Sequence, residues 1–114
     1  MALTFDERTK TLVAGTSTGY LIFFRVEGVS EIIPSSSLCS EAEVPVTSMG
    51  TLNRGINLCI ASFANGLIWI CSFDGSLVAE ITAHSRCINA IACHPTRSVF
   101  ASVSDDTFMN LFEV

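Results

Sequence analysis

Charge is scarce in this chain. Of its 114 residues only 15% are charged, six Lys or Arg against eleven Asp or Glu, and Lys10 is the single lysine. A surface built to hold phosphate needs clustered basic side chains. Here the five arginines are scattered and the formal net charge is −5, which disfavours nucleic acid and anionic membranes as primary partners. Long apolar runs are missing as well: the greasiest stretch, Leu58 to Ile70, is broken by Ser62, Asn65 and Gly66, short of the ~20 residues a spanning helix needs. Asp6, Glu7, Arg8 and Lys10 stand where a signal peptide would place its apolar core, and no Asn-x-Ser/Thr acceptor occurs. The expectation is a cytoplasmic protein without membrane insertion.

Cysteine is present but unorganised. Residues 39, 59, 71, 87 and 93 make an odd number with no Cys-x-x-Cys pair, and four of the five lie inside apolar runs. They read as small buried hydrophobes and not as a disulfide framework.

What the chain does have is β pattern throughout. Hydrophobic residues make up 49% of it, enough for one modest domain. Apolar runs rich in Val, Ile, Phe and Thr alternate with Gly, Asn, Asp, Ser and Pro, and no stretch keeps helical spacing. The expected strands include Tyr20–Val26, Val44–Met49, Asn57–Ser62, Leu67–Ser72, Leu77–Ile81, Cys87–Cys93, Val99–Ser104 and Phe108–Val114. Three turn pairs, Thr18-Gly19, Asn65-Gly66 and Asp106-Thr107, each separate two apolar runs and lie 47 and then 41 residues apart. Aligned on these turns, Ala14–Arg25, Ala61–Ser72 and Ser102–Glu113 are three copies of strand, turn and strand. The longer first interval is assigned to a long polar, serine-rich loop between repeat units, Pro34–Glu43.

The third copy carries the most specific signal: Ala83-His84, then Asp105-Asp106-Thr107, then Phe112-Glu113. This resembles one unit of a WD-repeat β-propeller, with Ala-His for the usual Gly-His, Phe-Glu for the usual Trp-Asp, and a period near the ~40–45 residues of a blade. The resemblance implies an all-β fold of four-stranded antiparallel meanders forming an incomplete propeller. Blade one, 1–38, is expected to be partial, with only a stub of first strand (Ala2–Phe5). Blade two spans 39–83, and blade three, 84–114, lacks its last strand. That makes about two and a half blades where closed propellers use about 4–8, and suggests a fragment. The resemblance further implies a buried network of His84, Ser102, Asp106 and Phe112, the last in the tryptophan position without an N–H to donate.

Several residues admit sharper readings. His84, Ser102 or Ser104, and Asp106 supply the ingredients of a hydrolase triad, but no Gly-x-Ser-x-Gly elbow is expected in the chain, and the network reading is preferred. His84, Cys87, Cys93 and His94 suggest zinc, yet on one strand Cys87 and Cys93 would lie ~20 Å apart, too far to share a metal. Trp69 is either an exposed partner contact or a core residue filling the volume left by Cys71. Ser35–Ser37 among acidic residues is either a phosphorylated docking loop or, preferably, a plain linker. Arg54, Arg86 and Arg97 are candidate contacts for an acidic partner.

The sequence therefore points to a non-catalytic protein–protein interaction scaffold, with no catalytic residues, cofactor or metal. Its inter-blade loops, Pro34–Glu43 and Asn53–Asn57 among them, would be presented on rigid blades. The partner proteins are not identified; further blades of the same propeller, or self-association, would cover the open ends. The alternatives are a small hydrolase using His84, Ser102 and Asp106, and a β-sandwich.

Overall fold

The computed structural model describes residues 2–6, 10–27, 31–39, 44–54, 56–73, 75–94 and 98–113. Within them the chain forms eleven strands: β1 Ala2–Asp6, β2 Thr11–Gly15, β3 Tyr20–Glu27, β4 Glu31–Cys39, β5 Val46–Arg54, β6 Ile56–Phe63, β7 Leu67–Ser72, β8 Leu77–Thr82, β9 Ile88–Cys93, β10 Val99–Ser104 and β11 Met109–Glu113. They make three antiparallel meanders: sheet 1 (β1-β2-β3-β4), sheet 2 (β5-β6-β7-β8) and sheet 3 (β9-β10-β11). Every connection within a sheet joins neighbours, so no strand crosses over.

The sheets stack face to face, and sheet 2 is the middle layer. One core joins Val13, Leu21 and Phe23 of sheet 1 to Val46, Cys59, Ala61, Phe63, Trp69 and Cys71 of sheet 2. A second joins Leu52, Leu58, Ile60, Ile68 and Ile70 of sheet 2 to Ile88 and Phe100 of sheet 3. Sheet 2 is thus buried on both faces, which is why Ile68 to Cys71 are all buried in sequence instead of alternating. The first strands lie side by side, with Thr4 Oγ1 3.0 Å from Thr51 Oγ1 between β1 and β5, and Ile91 N–H donating to Ser48 Oγ between β9 and β5 at 3.4 Å.

Three expectations are corrected. β1 is no stub: it pairs with β2 along its whole length, from Ala2↔Gly15 to Asp6↔Thr11. The serine-rich segment is not a loop over Pro34–Cys39, because the long strand β3 needs a partner and β4 runs through the serines to pair Tyr20 with Cys39. A register shift at Phe23/Phe24 takes Pro34 into this edge strand, where a missing N–H is tolerated. Residues 40–43 lie outside the described residues. The loop expected at Asn53–Asn57 is instead a tight hairpin, with Asn53 opposite Asn57 and Arg54 opposite Ile56.

The turns explain the repeat. Gly19 (φ 88°), Gly66 (φ 90°) and Thr107 (φ 71°) occupy the same place between the second and third strands of the three sheets. A left-handed backbone suits glycine and strains a β-branched residue, so sheet 3 carries a local cost that the other two avoid. At Gly66 the demand is also steric, since a Cβ there would collide with the His84 carbonyl.

Two expectations for stability follow from this packing. Truncating Phe23, fully buried, to Ala should cost about 3–5 kcal/mol in urea unfolding, whereas Val78→Ala at a 57% exposed position should change it by less than about 0.5 kcal/mol. At the turns the signs should oppose: Thr107→Gly should stabilise by up to about 1 kcal/mol, and Gly66→Ala should destabilise by about 2 kcal/mol or more.

Candidate functional site

The polar residues of interest converge on the linker 83–87 between β8 and β9, which passes from sheet 2 to sheet 3. Its backbone is held on both sides. Ala83 N–H and His84 N–H both donate to Gly66 O, in the β6–β7 turn of sheet 2, at 3.1 and 3.2 Å. From sheet 3, Asn110 Nδ2 donates to Ala83 O at 2.8 Å, Asp105 N–H to Cys87 O at 3.1 Å and Ser104 Oγ to Cys87 O at 2.8 Å. Where the chain passes from sheet 1 into β5, it is also held by backbone bonds, with Val46 N–H on Thr16 O and Ala64 N–H on Pro45 O, both at 3.0 Å.

His84 adds a side-chain bridge. The residue is 5% exposed, with Nε2 2.7 Å from Ser102 Oγ and Nδ1 3.0 Å from Asp106 Oδ2. An ionised Asp106 only accepts, so it takes the Nδ1 proton, and Nε2 of the neutral ring then accepts from the Ser102 hydroxyl. Asp106 also accepts from Phe108 N–H at 3.0 Å and from Ser85 N–H at 3.2 Å. Desolvation works to raise the Asp106 carboxyl, but the bonds from Phe108 N–H, His84 and Ser85 N–H outweigh it and hold the group below the ordinary aspartate range.

The order Asp–His–Ser is that of a hydrolase triad, yet its surroundings do not serve one. Ser102 has no exposed surface, lying mid-strand in β10 between β9 and β11. A nucleophile needs an exposed, sharply turned position beside oxyanion donors. The chain does spell Gly-x-Ser-x-Gly once, at Gly15–Gly19, which the sequence reading passed over. There Ser17 sits in the β2–β3 hairpin turn, whose Thr16 hydroxyl accepts from Tyr20 N–H at 3.1 Å, and not at a strand-to-helix elbow.

Phe112 joins by packing alone: its ring stacks on Phe100 with centroids 4.9 Å apart. Asn110 was not singled out from the sequence, and Ser104 was considered only as a triad serine, although both hold the linker. The only available signal was positional, since Asn110 aligns with Trp69 when the three turns are superposed. Trp69 itself is only 6% exposed, packed edge-on to Phe63 with centroids 5.0 Å apart and donating from Nε1 to Glu80 Oε2 at 2.7 Å. That corrects its reading as a partner contact: the small Ala61 opposite it leaves room for the indole in the core between sheets 1 and 2.

The four residues considered for zinc are not assembled. His84 faces Ser102 and Asp106, Cys87 Sγ lies toward Ile88 O, Cys93 packs against Gly50 and His94 is exposed. No group of three or more His, Cys, Asp or Glu is placed to hold a metal among the described residues. Burial raises the Cys71 thiol to about 12 and that of Cys93 to about 11, which suits inert core residues. Arg86 is exposed, and the side chains of Arg54 and Arg97 lie outside the described residues.

No family model matches the chain. Among solved structures it is similar to the β-propeller domain of Myceliophteria thermophila Cps50 (Swd1), with a TM-score of 0.79 and 19% identity, over 98% of this chain and 37% of that one. It is also similar to the computationally designed Ika4 protein, with a TM-score of 0.77 and 16% identity, over 100% of this chain and 65% of that one. Likeness at this identity speaks for the fold: the chain is an all-β stack of β-propeller blades. It spans little more than a third of the Swd1 propeller domain.

The lowered Asp106 carboxyl gives a signed expectation. Its folded value lies below its unfolded value of ~3.9, so its ionisation contributes stability in full above that value and loses it as pH falls through the folded one. The urea midpoint of wild type should therefore exceed that of Asp106→Asn near neutrality, with the gap narrowing once the pH drops below about 4.

Proposed function

We propose that this chain is a non-catalytic protein–protein interaction scaffold of the WD-repeat kind, working in the cytoplasm. Its acidic, phosphate-averse surface argues for protein partners over nucleic acid or membrane. The run Ile81–Ile88 followed by Asp105–Phe108 resembles the type called WD repeat-containing protein 54, and the share of the Swd1 propeller that is matched is consistent with a segment of a larger propeller. On this reading, further blades of the same propeller or another copy cover the outer sheets.

One observation carries the proposal: among the described residues, the constellation with the look of a catalytic triad is consumed in holding sheet 2 to sheet 3. Both His84 nitrogens are engaged, Ser102 is sealed inside the stack, and Asp106 is occupied by two backbone N–H groups besides the imidazole. Such a clamp fixes the β6–β7 and β10–β11 turns relative to one another. The rim they build, exposing Asn65, Ser85, Arg86 and Asp105, is then presented without ordering cost at the moment of binding.

His84→Ala separates scaffold from hydrolase. Removing the ring strands the Ser102 hydroxyl in the interior, and unfolding stability should fall by roughly 2–4 kcal/mol. Hydrolysis of an activated ester should stay at the buffer background for wild type and variant alike. Wild-type turnover that disappears in a variant of unchanged stability would overturn the scaffold reading.

A further inference from the structure

The β6–β7 turn of the middle sheet carries a chemically reactive pair. Of the five asparagines, Asn53, Asn57, Asn89 and Asn110 precede Arg, Leu, Ala and Leu, whose side chains crowd the nitrogen that follows. Asn65 alone precedes a glycine, Gly66. A glycine nitrogen is uncrowded, and its backbone turns freely toward the carboxamide behind it. At the equivalent turns, Thr18 in sheet 1 has no carboxamide, and Asp106 in sheet 3 has no amide to lose and precedes the β-branched Thr107.

The reaction open to such a pair needs only water. The Gly66 amide nitrogen gives its proton to solvent base and attacks Asn65 Cγ. A C–N bond forms, the Cγ–Nδ2 bond breaks, and the departing nitrogen takes a proton from water and leaves as ammonia. Water then opens the resulting cyclic imide. Opening at the side-chain carbonyl leaves an aspartate at position 65. Opening at the main-chain carbonyl leaves an isoaspartate, whose main chain runs through the former side chain. Either product adds a negative charge to the rim.

The folded turn holds the two reacting groups apart. Asn65 is exposed, but its Oδ1 is drawn forward to accept from Leu67 N–H at 3.3 Å. Gly66 is buried, and its N–H points back to Phe63 O at 3.2 Å. Its carbonyl accepts from Ala83 N–H and His84 N–H at 3.1 and 3.2 Å, and the linker lies so close that a Cβ on Gly66 would collide with His84 O. Closing the imide ring rotates the backbone of 65 and 66, which breaks these bonds and requires the linker to lift. We propose that Asn65 is a site of spontaneous deamidation guarded by linker 83–87, reacting only through the open form of the clamp. The isoaspartate product inserts an extra methylene into the main chain just before Gly66 and moves Gly66 O away from the two linker amides. A turn that has reacted this way no longer holds the linker as before. The inference goes beyond the scaffold reading and stands whether or not the rim binds a partner.

Peptide mapping by mass spectrometry tests it on the full chain, incubated at mildly alkaline pH with and without guanidinium chloride. In denaturant, the mass gain of an amide exchanged for a carboxylate should appear at Asn65 ahead of the other four asparagines. In the native chain it should be slower by at least about tenfold, because reaction draws only on the opened population. Ser102→Ala, which removes one bond of the His84 clamp, should speed the native reaction roughly threefold or more and leave the denatured rate unchanged, with circular dichroism verifying its fold. The isoaspartate fraction mapped to position 65 should unfold at a lower urea concentration than Asn65→Asp, which keeps the main chain and the Oδ1 acceptor. Equal rates in native and denatured chain would overturn the guard. Reaction led by another asparagine, or none at Asn65 in denaturant, would overturn the site. A folded Ser102→Ala with the wild-type native rate would remove the linker from the mechanism, and equal urea midpoints would remove the effect of the product on the clamp.

Discussion

Sheet 2 is covered on both faces, and the rest of the structure depends on that double burial. Three or four strands closed only on themselves would leave an apolar surface on each side, and here the neighbours on either side supply the cover. Phe23 and Leu21 close one face, Phe100 and Ile88 the other. Apolar burial is not directional, so by itself it would let the sheets slide. The linkers remove that freedom. Each runs between the turn of the sheet it leaves and the turn of the sheet it enters, and hydrogen-bonds to both.

Among the described residues the second linker carries the more hydrogen bonds, and its sequence accounts for them. Val46 at the first junction is an apolar plug, set so close to Gly15 that a Cβ there would collide with it. The second junction instead passes through Ala83, His84 and Ser85, whose polar groups sit at the edge of the core and must be paired. His84, Asp106, Ser102, Ser104 and Asn110 pair them. An arrangement with the order of a triad is thus what results when a buried linker satisfies its own polar groups.

The fold was legible because alternating apolar runs and positive-φ turns are local signals, and Gly19, Gly66 and the Asp106-Thr107 pair mark the same turn three times. What stayed hidden depended on neighbours. The burial of Trp69 could not be read from alternation, because β7 is covered on both sides and has none. The course of β4 through Pro34 and three serines was hidden by its loop-like composition, which an edge strand tolerates once β3 offers a ladder to complete. Asn110 looked like an ordinary strand residue, since its partner, Ala83 O, is 27 positions away in sequence. The candidate network was visible only through the spacing of His84 and Asp106 in a repeat, not through anything chemical about the residues alone.

The central claim is that linker 83–87 belongs to the cooperative unit and is not a mobile loop carrying a reactive histidine. Native-state hydrogen exchange compares the two directly. The Ala83 and His84 amides, which donate to Gly66 O, should exchange only through the opening that also releases the Ile60 and Ile68 amides of sheet 2. Exchange of the linker amides orders of magnitude faster than those of the sheet, with the sheet still protected, would contradict the account.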